Sequence, residues 1–215
     1  MLDENLIALL VKRGVIADTF RRLPADKKNL IYRTAVRLFG KYGYDGLAVD
    51  RFCREAGISK GSFFQYFETK SHLLEFVLLA FEQRIADWID TLRAAEKPVL
   101  ARERLTAMFR AVIAEAQVDH SEIMFFQFAT KALPHSTVVI DGIDLIAPLR
   151  RYVTEIVERG VATGELTDDP PSAKLIVLLT RILEDAVSWR LSPGEAGVSL
   201  RYDILLKVLW DGLGA

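Results

Sequence analysis

Apolar residues recur along the chain at intervals of three and four, the spacing of helices that each bury one face. Over residues 26–42, Ile31, Ala35, Leu38, Phe39 and Tyr42 share a side, and Gly43 stands where a C-terminal cap would close the helix. A short helix is predicted near 49–56, ending at Gly57, and another opens at Ser59, whose hydroxyl can accept from the amides after it. Thr69 or Ser71 opens a long helix with Leu73, Val77, Phe81, Ile85, Trp88 and Leu92 on its inner side, and Glu96, Lys97 and Pro98 stop it. Further helices are predicted near 99–117, 121–132, 143–162, 171–191 and 198–212, with a loop over 134–141. Asp169, Pro170 and Pro171 suit a helix entry, because a proline in the first turn gives up no needed hydrogen bond. No stretch alternates as a strand would, and no repeat or low-complexity tract occurs. The expected fold class is all-α.

The most informative stretch is VDRFCREAGISKGSFFQYFETK, residues 49–70. Two short helices with a glycine in the turn between them make a helix-turn-helix, whose second helix fits the major groove of DNA. Ser59, Lys60 and Gly61 occupy the start of that second helix, where unpaired amides and the helix dipole attract phosphate. Ser62, Gln65 and Tyr66 offer hydrogen-bonding tips, and Phe63 and Phe67 are placed to anchor the helix to its own core.

Charge changes the picture once the chain is split. Among 215 residues the net charge is only −1, which by itself suggests no polyanionic partner. Residues 1–70 carry 13 Lys and Arg against 8 Asp and Glu, however, while residues 71–215 carry 15 against 21. A basic head on an acidic body offers one end to a polyanion. With 51% hydrophobic and 27% charged residues the rest reads as ordinary globular material. Cys53 is the single cysteine, and His72, His120 and His135 show no metal-ligand spacing, so no metal site, cofactor or catalytic residue is expected. Cys53 reads as a buried structural thiol and His72 as a first-turn surface residue. The apolar run Leu6–Val11 follows acidic Asp3 and Glu4 and precedes no small-residue cleavage site. With no run long enough to span a membrane, a cytoplasmic protein is expected.

The run AVRLFGKYGYDGLAVDRFCREAGISKGSFFQYFETKSHLL closely resembles the head of TetR-family regulators. The resemblance is specific over about residues 28–80 and extends loosely through ERGVATGELTDDP and the last two apolar helices. It implies a three-helix helix-turn-helix head over 26–70, joined by a long helix to a helical body over 71–215 that binds a ligand and dimerises. It also implies phosphate contacts from Ser59, Lys60, Gly61 and Lys70, and groove-facing positions at Ser62, Phe64, Gln65 and Tyr66. Two residues depart from the family pattern. Phe64 stands where a tyrosine is usual, and Ala48 where a serine or threonine usually caps the first helix of the motif.

Residues 1–25 form a longer lead-in than such a head needs. Leu2, Leu6, Leu9 and Leu10 share a helical face, interrupted at Gly14, with Phe20 and Leu23 beyond. One reading is an extra helix packed on the outside of the head; the other gives Arg21 and Arg22 a contact with the DNA backbone or minor groove.

In the body, Met108, Phe109, Val112, Ile113, Ile123, Met124, Phe125, Phe126 and Phe128 crowd a short stretch. Plain core packing explains any one of them. As a group, Phe109, Ile113, Phe125 and Phe128 are candidates to line a mostly apolar effector pocket, with Gln127, Arg181 and Glu184 as polar members. Stripes through Ile176, Leu179, Leu183 and Val187, then Tyr202, Leu205, Leu206, Leu209 and Leu213, suit either a twofold four-helix interface or the monomer's own core. The function that the resemblance implies is a ligand-responsive repressor that binds a near-palindromic operator as a homodimer. The effector would be a small apolar or amphipathic molecule acting through the long helix. The rival readings are an all-helical enzyme or small-molecule-binding protein acting on a hydrophobic compound, and an adaptor that uses Phe64 and Tyr66 to bind a protein.

Overall fold

The computed structural model describes residues 2–95, 100–115, 120–140 and 142–189, together with the single positions 204, 207, 208 and 211. The fold is all-α, and among the described residues there is no strand. The chain divides into two compact units, Met1–Arg84 with Ser121–Leu145, and Ile85–His120 with Ile146–Ala215.

The first unit opens with α1 (Glu4–Lys12), whose first amides are accepted by the carboxylate of Asp3. Its buried side runs through Ile7 and Leu10, while Leu9, expected on the inner face, is exposed. The short α2 (Asp18–Arg21) follows, then α3 (Ala25–Gly46), which the non-helical Gly43 interrupts near the predicted cap. Next come α4 (Val49–Ala56) and α5 (Lys60–Tyr66), then α6 (Lys70–Ala95), which gives its residues up to Arg84 to this unit and the remainder to the other. The segment from Ser121 adds most of α8 (His120–Gln127), a π-helical turn over Phe128–Ala132 and a 3-10 turn over Leu133–His135.

Aromatic rings fill this core. Phe20, Phe39, Phe52, Phe63, Phe67, Phe76 and Phe125 are all nearly or fully buried. Phe20 meets Phe67 and Phe76 at 5.2 and 5.1 Å between ring centroids, and Phe52 meets Phe63 edge-on at 5.9 Å. Such offset and edge contacts add to the large apolar area each ring removes from water. Gly40 marks where α8 crosses α3, because a Cβ there would lie 2.7 Å from the backbone nitrogen of Phe125. Phe128 stacks on Phe39 and Phe125 packs on Phe81, so the aromatic run 125–128 is tied to helices of the first unit.

The second unit is built from the end of α6, α7 (Ala101–Glu115), α9 (Ala147–Ala162) and α10 (Ser172–Trp189). Its core is mainly aliphatic, with Leu105, Val153, Ile156, Leu175, Leu179 and Leu183 around Phe109 and Tyr152. The buried Arg104 lies over the Tyr152 ring and within 3.6 Å of Glu155, which also pairs with Arg93 at 2.8 Å. Asp168 accepts the amide of Ser172 at 2.9 Å and so caps α10 one residue beyond the proline pair. Leu179 and Leu183 therefore face their own unit, and the outer side of α10 carries Val177 and Leu178, 61% and 48% exposed. The helix predicted near 198–212 lies outside the described residues apart from helical positions at 204, 207, 208 and 211. No described helix is long and apolar enough to cross a membrane.

Candidate nucleic-acid interface

A helix ends with carbonyls that lack intrahelical partners and begins with amides in the same condition, so short helices keep their shape only if other groups take up these ends. In the first unit those groups come both from the adjoining residues and from elsewhere in the chain. α4 begins at Ala48, which supplies no side-chain cap, as expected. It ends at Gly57 with φ of 60°, a left-handed turn that glycine adopts without steric cost. The ammonium of Lys27, on α3, donates to the carbonyls of Ala56 and Gly57 at 3.1 and 2.9 Å and closes that end.

α5 begins as predicted. Ser59 is its N-cap, accepting the Ser62 amide at 2.9 Å, and the two serine hydroxyls share a hydrogen bond at 2.8 Å. Phe63 and Phe67 are buried at 0% and 1% exposure, so they anchor the helix, as expected. The exposed side carries Lys60, Gly61, Phe64 and Gln65. A Cβ at Gly61 would meet only the Ser59 hydroxyl, at 3.7 Å, so nothing within the chain demands a glycine there. The small residue leaves the backbone open to a close external approach. Phe64 packs edge-on against Phe63 and is still 52% exposed. Tyr66, expected to face outward, is half-buried against the ring of Phe20 at 5.9 Å.

Two cations behave differently. Lys60 is exposed and pairs with Asp50 of α4 at 2.8 Å; hydrogen bonding to that carboxylate raises its pKa above the usual lysine value. It is a surface charge in contact with solvent, held by a single bond. The Lys70 ammonium donates to the carbonyls of Tyr44 and Leu47 at 2.8 and 3.1 Å and lies 4.1 Å over the Tyr44 ring. Burial lowers its pKa. Its donors thus hold the turn between α3 and α4, where sequence reasoning placed a phosphate contact.

Thr69 caps α6, accepting the His72 amide at 3.2 Å, and His72 lies half-buried in the first turn. Cys53 is buried and its thiol pKa is pushed up by desolvation, the behaviour of a packing residue. Among the described residues no group of His, Cys, Asp and Glu could hold a metal ion. Arg21 and Arg22 both face Asp18 on α2.

The residues put forward for an effector pocket are distributed over both units. Phe109 lies in the aliphatic core of the second, whereas Phe125 and Phe128 join the aromatic core of the first and Gln127 is half-buried beside them. Arg181 is exposed on α10 and pairs with Glu184 at 3.0 Å. The Ile113 and Val187 side chains, with Tyr202, Leu205 and Leu209, lie outside the described residues. Sequence reasoning missed Lys27, Asp50, Ala17 and Thr19. Each acts through a partner 10 to 49 residues away in sequence, and no local spacing signals such a contact.

The first unit thus holds a capped, aromatic-cored helix-turn-helix with an exposed second helix, the geometry of a DNA-reading head. Residues 31–77 match the family model described as bacterial regulatory proteins, tetR family. An uncharacterized HTH-type transcriptional regulator, YuxN of Bacillus subtilis, is 28% identical over 116 residues, 53% of this chain and 38% of that protein. The match thus spans well under half the length of that relative. The HTH-type transcriptional repressor KstR2 of Mycolicibacterium smegmatis is 25% identical over 155 residues, 68% of this chain and 70% of its own. A crystal structure of the transcriptional regulator FadR from Bacillus subtilis, in complex with stearoyl-CoA, has the same fold. Its TM-score is 0.67 at 17% identity, covering 84% of this chain and 96% of that one. TetR-family crystal structures likewise align over at least 90% of the chain. Over residues 31–77 the chain is thus similar to tetR-family regulatory proteins, and its all-helical fold is that of the solved TetR-family structures.

Proposed function

We propose that this protein is a ligand-responsive repressor that binds a near-palindromic operator as a homodimer. The observation that carries the reading is the exposed side of α5. Lys60, Gly61, Phe64 and Gln65 stand outward there while Phe63 and Phe67 lock the helix from behind. Ser59, Lys60 and Gly61 then meet phosphate, and Ser62, Phe64 and Gln65 face base edges in the groove. Tyr66 reaches the groove only with the part of its ring left uncovered by Phe20. One seven-residue helix gives limited affinity, and two copies on adjacent half-sites combine theirs. The exposed Val177 and Leu178 of α10 offer an apolar face for pairing, and Tyr202, Leu205 and Leu209 are further candidates from the sequence.

The effector is a small apolar or amphipathic molecule, for which the FadR complex with stearoyl-CoA is a precedent in the same fold. Phe109, Ile113, Phe125, Gln127, Phe128 and Arg181 are the candidate contacts. The ligand releases DNA only if it binds the DNA-incompetent state more tightly, and the coupling is reciprocal. We place the protein in the cytoplasm, acting by binding and not by turnover.

Selecting duplexes from random DNA with the purified full chain tests the reading. Enrichment of two inverted half-sites is the expected result, and no enriched sequence would sink it. Mass spectrometry of small molecules carried through purification tests the effector class.

A further inference from the structure

We propose that residues 15–24, which precede the family match, are a working part of the DNA-reading head. They take over the C-terminal end of α5 and set its tilt, with Thr19 and Phe20 as positioning residues. The inference rests on α5 being the reading helix.

α5 has only seven residues, so its last carbonyls make up most of one end of the rod. The amide of Ala17 donates to the Tyr66 carbonyl at 2.9 Å, and the Thr19 hydroxyl donates to the Gln65 carbonyl. The fully buried Phe20 is wedged among Tyr66, Phe67 and Phe76, with ring centroids 5.1–5.9 Å apart. Gln65 is therefore held by its backbone from the lead-in segment while its side chain remains exposed.

The lead-in is itself well anchored. Ile7, Leu10, Val15 and Ile16 are buried, Glu4 accepts the Lys28 ammonium at 2.8 Å, and Arg13 lies 3.5 Å from Glu75 on α6. A latch fixed at its own base can transmit position to what it grips. With only its N-cap and the non-directional packing of Phe63 and Phe67, the rod could tilt at its far end, and a shift of an ångström at Gln65 changes which base edge it reaches. The latch contributes no charge to the DNA surface through Thr19 or Phe20, so its effect falls on discrimination between sequences. The salt-dependent attraction is left alone.

The test compares the full-length wild type with Thr19→Val, which removes the donor at nearly constant shape, and Thr19→Ser, which restores it. Two readouts are taken. Amide hydrogen exchange over Phe63–Phe67 is measured without DNA, and affinity is measured for the selected operator and for random duplex over a range of salt. Thr19→Val should speed exchange at the end of α5 and cut the operator-to-random affinity ratio by about five-fold, the scale of one lost hydrogen bond. The salt slope should stay at the wild-type value, and Thr19→Ser should recover both properties. Unchanged exchange together with an unchanged ratio in Thr19→Val would overturn the proposal. If the wild type itself shows no preference among duplexes, the DNA-reading function fails, and the exchange comparison still decides whether the latch exists.

Discussion

The two units reach stability by different means. In the first, helices as short as four, seven and eight residues are joined to one another at their ends. Lys27 closes α4, Lys70 holds the turn before it, Ser59 and Thr69 cap α5 and α6, and Ala17 and Thr19 finish α5. In the second, helices of 15 to 18 residues pack an aliphatic core and leave Val177 and Leu178 outside. The difference follows from what each must do. A reading surface needs its side chains at fixed places, which directional hydrogen bonds and stacked rings specify. The body proposed to pair with a copy and accommodate a ligand would be better served by non-directional apolar burial, which tolerates repacking.

The comparison can be broken first through the cores. Phe63→Ala should cost about 3–5 kcal/mol and Leu183→Ala about 2–5 kcal/mol in urea unfolding. If the units unfold separately, each variant should move one transition only. A shared loss in a single transition would show that they stand or fall together. Gly40→Val should cost about 1–3 kcal/mol, because its Cβ meets the Phe125 backbone and α8 must move off α3.

Lys70→Met leaves two carbonyls without their donor and should cost about 1–3 kcal/mol in thermal denaturation. Ser59→Ala should cost about 1 kcal/mol as a lost N-cap, measured the same way, while removing a hydroxyl from the DNA surface. An equal loss from Lys60→Ala and Lys70→Met in the melt would contradict the separate roles assigned to the two lysines.

Much of the head was legible because its signals are local. Gly57 and Ser59 mark a turn and a cap within three residues, and the spacing of Phe63 and Phe67 places them on one side of a helix. What escaped detection was set by contacts distant in sequence. Lys70 reads in the sequence only as a cation at the start of a helix, and the fold alone shows the carbonyls 23 and 26 residues earlier to which it donates. Leu9 fits a helical stripe as well as Ile7 does, and only the packing of α1 decides which is covered. Composition marked Phe125 and Phe128 as buried, but it could not say in which core, because both cores demand large apolar groups. The π-helical turn over 128–132 has no pattern distinguishable from an α-helix over so short a span.

The salt dependence of duplex binding, measured for wild type, Lys60→Ala and Lys70→Met, tests the central assignment most directly. Affinity should fall steeply with salt in the wild type. Lys60→Ala should lower the slope of log affinity against log salt by about one, and Lys70→Met should leave it in place. An unaltered slope in Lys60→Ala, or wild-type binding indifferent to salt, would show that α5 does not present its basic end to DNA.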